Sequence, residues 1–186
     1  DTDYIRRAKI LYIGEAVREV ALKAASEARK AGLKVIYGPG IFSSMGVDYL
    51  GPVIELSDYV IISSRELRML GVEDPSELIP EQGSRRIVVT LGARGSMLLG
   101  RGVSELVPSF NVRAIDTTGA GNAFTAGFIL GIMRGVGERE SLIIGNAAAA
   151  LKVERLGPRA SPKLFELTSF LRRMGFGTLA ELVEER

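Results

Sequence analysis

A glycine-rich turn at residues 119–122 carries the clearest chemistry in this sequence. Gly119-Ala120-Gly121-Asn122 leads directly into a run of small and apolar residues that begins at Ala123. Glycine permits backbone conformations that are closed to residues with a Cβ, so successive N–H groups can converge on one point. A helix that starts there adds its positive dipole end. Together these groups would stabilise an anion, either a bound phosphate or a developing oxyanion.

The helix predicted after this turn covers residues 123–134 and has a broad apolar face. Gly127 and Gly131 interrupt that face, which indicates close packing against a neighbouring element. The alternative interpretation is a glycine-rich helix start that serves core packing alone. The turn is not a Walker A loop, because it lacks the lysine, and its glycine spacing differs from that of a dinucleotide-binding fingerprint.

Residues 116–124 read Asp-Thr-Thr-Gly-Ala-Gly-Asn-Ala-Phe. This stretch resembles the C-terminal signature of the ribokinase-like (PfkB) carbohydrate kinases, Asp-Thr-Thr-Gly-Ala-Gly-Asp followed by Ala-Phe. The resemblance implies that Gly119, Ala120 and Gly121 form the anion hole for the transferred phosphoryl group. It also implies that position 122 holds the base that takes the proton from the sugar hydroxyl. Because an amide has negligible basicity, Asn122 predicts weak or absent kinase activity.

Two further segments resemble the nucleotide site of the same family. Residues 86–99 contain Thr90-Leu-Gly92-Ala-Arg-Gly95 and are similar to the family's Thr-x-Gly-x-x-Gly strand and hairpin. The resemblance implies that Thr90, Gly92 and Gly95 line the ATP site, although an ordinary strand and tight turn would have the same pattern. Asn146 lies in a segment similar to the family's adenine-side helix, which implies proximity to adenine. A surface or capping asparagine is the alternative.

The metal-binding residues implied by the resemblance are Glu66, Asp116 and Thr118. Residues 57–66 resemble the strand that leads into the family's Asn-x-x-Glu motif, whose Glu organises magnesium and phosphate through water. Here Ser63 replaces the Asn, and Ser63 with Glu66 also fits a helix capping box. Asp116 and Thr118 would coordinate a monovalent cation as in some relatives, with Gly157 and Ser161 nearby. An aspartate that only stabilises the turn is the alternative.

Polar residues of the family pattern are replaced at one more strand end. Residues 34–40 resemble a strand that usually ends Asp-Pro-Asn in the family, and here the two polar positions are Gly38 and Gly40. Together with Ser63 and Asn122, these replacements favour natural drift away from catalysis over a single engineered exchange.

The resemblance extends from about Tyr4 to Pro162. It implies ATP and Mg²⁺ as cofactors and a sugar or nucleoside as the acceptor of the γ-phosphoryl group. The family's preceding strands, with the sugar-recognition motif and the β-lid, have no counterpart in the sequence. We therefore expect residues 1–186 to form a single α/β domain that resembles the C-terminal, ATP-binding part of such a kinase. The alternative function is a non-catalytic nucleotide-binding or interaction module, as a homo-oligomer or completing another chain's site.

Composition limits the other functional classes. The 186 residues are 46% hydrophobic, which allows a substantial core, and they include no Cys and no His. Disulfides, thiolate zinc sites and histidine bases are therefore excluded. The net charge of +2 comes without a basic tract, so we expect no nucleic-acid partner. No run of about 18 apolar residues occurs, and the sequence predicts a soluble, cytoplasmic protein without a membrane partner.

Strands and helices alternate along the sequence, and this order must position the residues above. Continuous Val/Ile strands separated by helices predict a mostly parallel sheet flanked by helices on both sides, a three-layer α/β fold. An antiparallel hairpin around Gly100-Arg101-Gly102 is predicted at the sheet edge. The glycine, serine and glutamate positions singled out above follow predicted strands. Because ligands bind beyond the carboxyl ends of such strands, we expect these residues to face one crevice.

Overall fold

Strands rich in Val and Ile are the main elements of the first half of the chain. The structure is a computed structural model, and it describes residues 2–184. The strands are β1 (Ile10–Gly14), β2 (Lys34–Gly38), β3 (Tyr59–Ser63), β4 (Arg86–Thr90), β5 (Ser96–Gly100) and β6 (Val103–Val107). The helices are α1 (Thr2–Ile5), α2 (Arg18–Lys30), α3 (Val47–Glu55), α4 (Ser64–Met69), α5 (Ala120–Arg134), α6 (Glu138–Val153), α7 (Leu164–Arg173) and α8 (Gly177–Glu184). Short 3₁₀ turns occur at Gly40–Met45, Pro75–Leu78 and Gly92–Arg94.

The six strands form one sheet in sequential order, and β1 to β4 are parallel. The carboxyl ends of β1 and β2 are in register, with Gly14 opposite Gly38, and so are those of β3 and β4, with Ser63 opposite Thr90. Strands β5 and β6 follow as the edge hairpin. The predicted α/β class, with a mostly parallel sheet and an antiparallel edge hairpin, is confirmed.

The chain divides into two compact units. The first consists of the residues up to Thr90 together with Leu98–Ser104, and the second consists of Leu91–Met97 together with the residues from Glu105 onward. The first unit contains helices α1 to α4, and the second contains α5 to α8. The expectation of one domain over residues 1–186 remains a prediction.

The core of the first unit lies along β2, β3 and β4. Their central apolar residues are buried almost completely, as expected for parallel strands that are covered on both faces. Helix α2 contributes Ala21, Ala25 and Ala28, all of them inaccessible to solvent. These alanines are four and three residues apart and therefore lie on one face of the helix.

The second unit is built around the close approach of α5 and α6. A Cβ at Gly127 would lie 2.8 Å from the Ile144 carbonyl oxygen, and a Cβ at Gly145 would lie 2.8 Å from a ring carbon of Phe124. Both distances are shorter than real Cβ atoms tolerate, so only glycine fits at these positions. The close packing predicted from Gly127 is confirmed.

Helix α5 begins earlier than the sequence predicted. Its first residue is Ala120 rather than Ala123, so Gly121 and Asn122 belong to the first helical turn. Gly119 precedes the helix in the left-handed conformation, with φ of 84°. The other predicted elements that bear on the site lie close to their expected positions. No helix within residues 2–184 has both the length and the apolar character that crossing a membrane requires.

Candidate functional site

The turn at residues 116–122, which we call the anion loop, is stabilised by its own backbone. Ala120 N donates to Thr117 O (3.1 Å), and Ala123 N donates to Gly119 O (3.0 Å) as the first hydrogen bond of α5. The N–H groups of Gly121 and Asn122 lie in the first turn, where no intrahelical acceptor is available. Both residues are exposed. The loop can therefore offer these two amides, with the helix dipole behind them, to an anion.

Only glycine suits position 119, immediately before α5. Gly119 has a left-handed backbone, and a Cβ there would lie 2.6 Å from the Pro158 carbonyl oxygen. The turn after α6 therefore lies directly against the anion loop. This contact fixes the direction in which the following amides point.

Asp116 ties the anion loop to that same turn. Its carboxylate accepts hydrogen bonds from Thr118 N (Oδ1, 2.9 Å) and from Gly157 N (Oδ2, 2.8 Å). Hydrogen bonds from Thr118, then the one from Gly157 and the nearby positive charge of Lys152, lower the pKa of Asp116 to about 2, against a smaller opposing effect of burial. Asp116 thus has the turn-stabilising contacts that were the alternative to a cation ligand.

A buried lysine, which the sequence analysis did not single out, completes this arrangement. Lys152 lies near the end of α6, and its side chain is inaccessible to solvent. Its Nζ donates to Asp116 O (2.8 Å) and to Arg155 O (3.3 Å), and it lies 3.6 Å from Asp116 Oδ2. The polar residues Asp116 and Lys152 are 36 positions apart, and no local pattern relates them.

Asn122 projects from the first turn of α5 and is exposed. Its amide can donate and accept hydrogen bonds but has negligible basicity. The position is therefore suited to hold a hydroxyl group, and it cannot take the proton that a carboxylate would take.

The segment predicted to line the nucleotide forms a compact hairpin. Leu91 N donates to Gly95 O (2.8 Å) across the 3₁₀ turn Gly92–Arg94. A Cβ at Gly95 would overlap the Val107 carbonyl oxygen, so a side chain is excluded there. Gly92 and Gly95 belong to the second unit, whereas Thr90 ends β4 in the first unit. Nucleotide contact by these three residues remains a prediction.

Asn146 is a buried anchor within the second unit. Only 4% of the residue is exposed, and its Nδ2 donates to Val107 O (3.1 Å) and to Pro108 O (3.3 Å). The side chain holds the chain as it leaves β6. It is therefore neither a surface residue nor a helix cap, and its proximity to adenine remains a prediction.

Ser63 and Glu66 form the capping box at the start of α4. Ser63 Oγ accepts from Glu66 N (3.2 Å), and Ser63 N donates to Glu66 Oε2 (2.8 Å). One carboxylate oxygen of Glu66 is thus engaged with the backbone. Because the residue is only half-buried, the other oxygen can still face a hydrated cation. The implied magnesium role of Glu66 remains a prediction.

Tyr12 and Glu15 fill the space beside the strand-end glycines of β1 and β2. A Cβ at Gly38 would lie 2.8 Å from the Tyr12 hydroxyl oxygen, and a Cβ at Gly40 would overlap the Glu15 side chain. Glu15 itself has a φ of 46°, a conformation that non-glycine residues seldom adopt. Burial, followed by the charges of Glu15 and Glu66, raises the pKa of Tyr12.

The sequence contained a signal for this arrangement. Tyr12 and Gly14 are two residues apart on a strand and therefore share one face, and Gly14 lies opposite Gly38 in the sheet register. Two glycines paired at the ends of neighbouring strands leave room for a large side chain. In the described part of the chain, no group of three or more His, Cys, Asp or Glu side chains is placed to hold a metal ion.

The structure thus assembles the predicted residues into two groups. Gly38, Ser63, Glu66 and Thr90 belong to the first unit, and Gly92, Gly95, Asn146 and the anion loop belong to the second. That the two groups face one crevice remains a prediction.

Comparison with known proteins supports the interpretation of these motifs. The model of the pfkB family of carbohydrate kinases matches residues 1–164. The ribokinase of Haemophilus influenzae is 32% identical over 158 residues, which are 80% of this chain and 50% of that protein. The chain thus spans about half the length of this curated relative.

Two solved structures are similar to the fold. The nucleoside kinase of Burkholderia thailandensis in complex with inosine is 25% identical with a TM-score of 0.78, over 92% of this chain and 59% of that one. A putative ribokinase II from E. coli in complex with ATP and Mg²⁺ is 24% identical with a TM-score of 0.81, over 93% of this chain and 61% of that one. The motifs described above thus lie in a ribokinase-like fold, and the chain belongs to the pfkB family of carbohydrate kinases.

Proposed function

We propose that this chain is the nucleotide-binding part of an ATP-dependent kinase that transfers the γ-phosphoryl group to a hydroxyl of a sugar or nucleoside. The anion loop is the observation that carries the proposal. Gly119 turns the backbone in the left-handed conformation, and the amides of Gly121 and Asn122 are exposed at the start of α5. Such a helix start stabilises the negative charge of a phosphoryl group by electrostatics that are already in place before the ligand arrives.

The proposed cofactors are ATP and Mg²⁺. Thr90, Gly92, Gly95 and Asn146 would line the nucleotide, as the family resemblance implies. Glu66 would hold hydrated magnesium through its second carboxylate oxygen, since the first accepts a hydrogen bond from Ser63 N at 2.8 Å. Magnesium keeps most of its water ligands in such sites, so a single protein carboxylate is a suitable donor. The metal would neutralise charge on the phosphates.

Asn122 sets the expected rate. In phosphoryl transfer the protein contributes mainly positioning and charge stabilisation, and both can be supplied by the anion loop. Asn122 would orient the acceptor hydroxyl, but the proton of that hydroxyl would have to be transferred to water. The loss of a general base typically lowers a rate by about 10²- to 10⁴-fold. We therefore expect weak transfer by this chain at most.

A direct test compares the chain with Asn122→Asp over a panel of sugars and nucleosides, with formation of phosphorylated product as the readout. We expect the variant to be faster by about 10²-fold or more on at least one acceptor. The matched control is Asn111→Asp, the same charge change at another exposed asparagine. Rapid turnover by the unmodified chain would show that the carboxylate is dispensable.

The second candidate is a nucleotide-binding or interaction module without catalysis, in a homo-oligomer or as the part that completes another chain's site. One observation favours it: Tyr12 and Glu15 occupy the space beside Gly38 and Gly40, at the strand end where the family pattern has polar residues. This candidate predicts thermal stabilisation by MgATP with no product from the chain or from Asn122→Asp. If neither ATP nor ADP stabilises the fold, both candidates fail.

A further inference from the structure

The ammonium group of Lys152 is fully buried and would contact no ligand of the proposed kinase. Its side chain is 0% exposed, although burying a charge is costly unless partners compensate for it. Those partners are two backbone carbonyl oxygens, Asp116 O at 2.8 Å and Arg155 O at 3.3 Å, together with Asp116 Oδ2 at 3.6 Å. The ammonium therefore lies between the anion loop and the turn that follows α6.

These oxygens are the kind that a dehydrated monovalent cation takes as ligands. Potassium, for example, is bound where carbonyl oxygens replace its hydration shell. The two carbonyls belong to segments far apart in the chain, so a positive charge between them holds the segments together. In this chain the positive charge is covalently attached to α6.

All three oxygens of Asp116 already accept hydrogen bonds, so they offer few free ligand positions to an additional cation. Oδ1 accepts from Thr118 N, Oδ2 accepts from Gly157 N, and the main-chain oxygen accepts from Lys152 Nζ. Each oxygen of Asp116 thus already has a donor in this chain, so the site expected at Asp116 and Thr118 does not fit an additional monovalent cation. The positive charge that the loop requires is already present.

We propose that the Lys152 ammonium is a built-in replacement for a monovalent cation and that it positions the anion loop without potassium or sodium. The loop's geometry then depends on one side chain rather than on the salt composition of the solvent. Lys152 is a positioning residue, because it acts on the anion-binding amides through Asp116 and touches no reacting group. This inference holds whether or not the chain proves to be a kinase.

The test measures thermal unfolding of the full chain without nucleotide, in chloride salts of potassium, sodium and choline at equal ionic strength. The unmodified chain should unfold at the same temperature in all three. Lys152→Met, which keeps most of the apolar stem and removes the charge, should lower the Tm by about 5–15 °C. Lys23→Met, at an exposed lysine of α2, is the matched control and should change the Tm by no more than about 2 °C.

A second variant separates a cation substitute from a lysine that only fills space. Lys152→Ala vacates the ammonium position but leaves its oxygen partners, so potassium should raise its Tm relative to choline by several degrees. A higher Tm of the unmodified chain in potassium or sodium than in choline would overturn the proposal. The same holds if Lys152→Ala unfolds at one temperature in all three salts.

Discussion

The anion loop and the carboxyl ends of β1 to β3 differ in the groups that would contact a ligand. In the anion loop these groups are main-chain amides at the start of α5, positioned by Gly119 and by the carboxylate of Asp116. At the strand ends they would be side chains, and there the polar residues of the family pattern are replaced by Gly38, Gly40 and Ser63. Tyr12 and Glu15 occupy the space beside the two glycines.

The difference shows which kind of site survives changes of sequence. A site made of main-chain amides needs only a permissive backbone and a scaffold, so we expect it to tolerate Asn122 where the family signature has Asp. A site made of side chains is lost once those side chains are replaced, because their ligand-binding groups are gone and neighbouring side chains can occupy the space. Nucleotide binding should therefore be better retained than transfer to an acceptor.

The largest loss of stability is expected from a substitution that distorts the anion loop. Gly119→Ala places a Cβ against the Pro158 carbonyl oxygen and requires a left-handed alanine, so we expect a loss of about 2–4 kcal/mol in the free energy of unfolding. Gly135→Ala, at the other end of α5, is the matched control. Its φ is 70° and its Cβ would have open space, so only about 1 kcal/mol should be lost.

Urea unfolding measures both free energies, and a thermal shift with MgATP measures binding. Gly135→Ala should keep the stabilisation by MgATP, and Gly119→Ala should lose it. Equal losses of stability in the two variants would show that the Pro158 contact does not restrain the loop.

A smaller effect is expected at the carboxyl end of β3. Ser63→Ala removes the cap of α4 and should lower the free energy of unfolding by about 1 kcal/mol, measured by urea unfolding. Glu66→Gln keeps an oxygen that accepts from Ser63 N and removes the charge, so the unliganded stability should stay nearly unchanged. If Glu66 holds hydrated magnesium, Glu66→Gln should weaken magnesium-dependent ATP binding by about tenfold.

Equal nucleotide affinity of Glu66→Gln and the unmodified chain would leave Glu66 with the capping role alone. Calorimetric titration of ATP with and without magnesium distinguishes the two results. Ser63→Ala serves as the control for the capping role, since it keeps the carboxylate.

The smallest effect concerns acid stability of the anion loop. The folded chain holds the pKa of Asp116 at about 2, below the value of a free aspartate, so the ionised carboxylate stabilises the fold above about pH 4. That contribution is lost as the pH falls from about 4 through 2. Asp116→Asn should therefore show a shallower fall of stability over this interval than the unmodified chain. Parallel curves from urea unfolding between pH 2.5 and 5 would contradict the assignment.

The strands could be predicted closely because their signal is local. Continuous runs such as Val60–Ile62 identify buried parallel strands without knowledge of their neighbours. The start of α5 was predicted three residues late, at Ala123 rather than Ala120, because Gly121 and Asn122 are poor helix formers. A left-handed Gly119 begins the helix there without a side-chain cap.

The site could be predicted where chemistry depends on consecutive residues and not where it depends on distant ones. The anion loop and the Ser63–Glu66 capping box were both recognisable from sequence, and the structure has the capping contacts. Lys152 and the contact of Tyr12 with Gly38 were not predicted. Each joins residues that are distant in sequence, so it depends on the tertiary fold rather than on a local pattern.

Backbone amide NMR during a titration with MgATP reports directly on the N–H groups that are proposed to bind the phosphoryl group. We expect the amide signals of Gly121 and Asn122 to shift strongly and to saturate with the nucleotide, while that of Gly135 at the far end of α5 stays in place. Saturating nucleotide that leaves the signals of Gly121 and Asn122 in place would rule out a phosphoryl site at these amides, as would no binding at millimolar nucleotide.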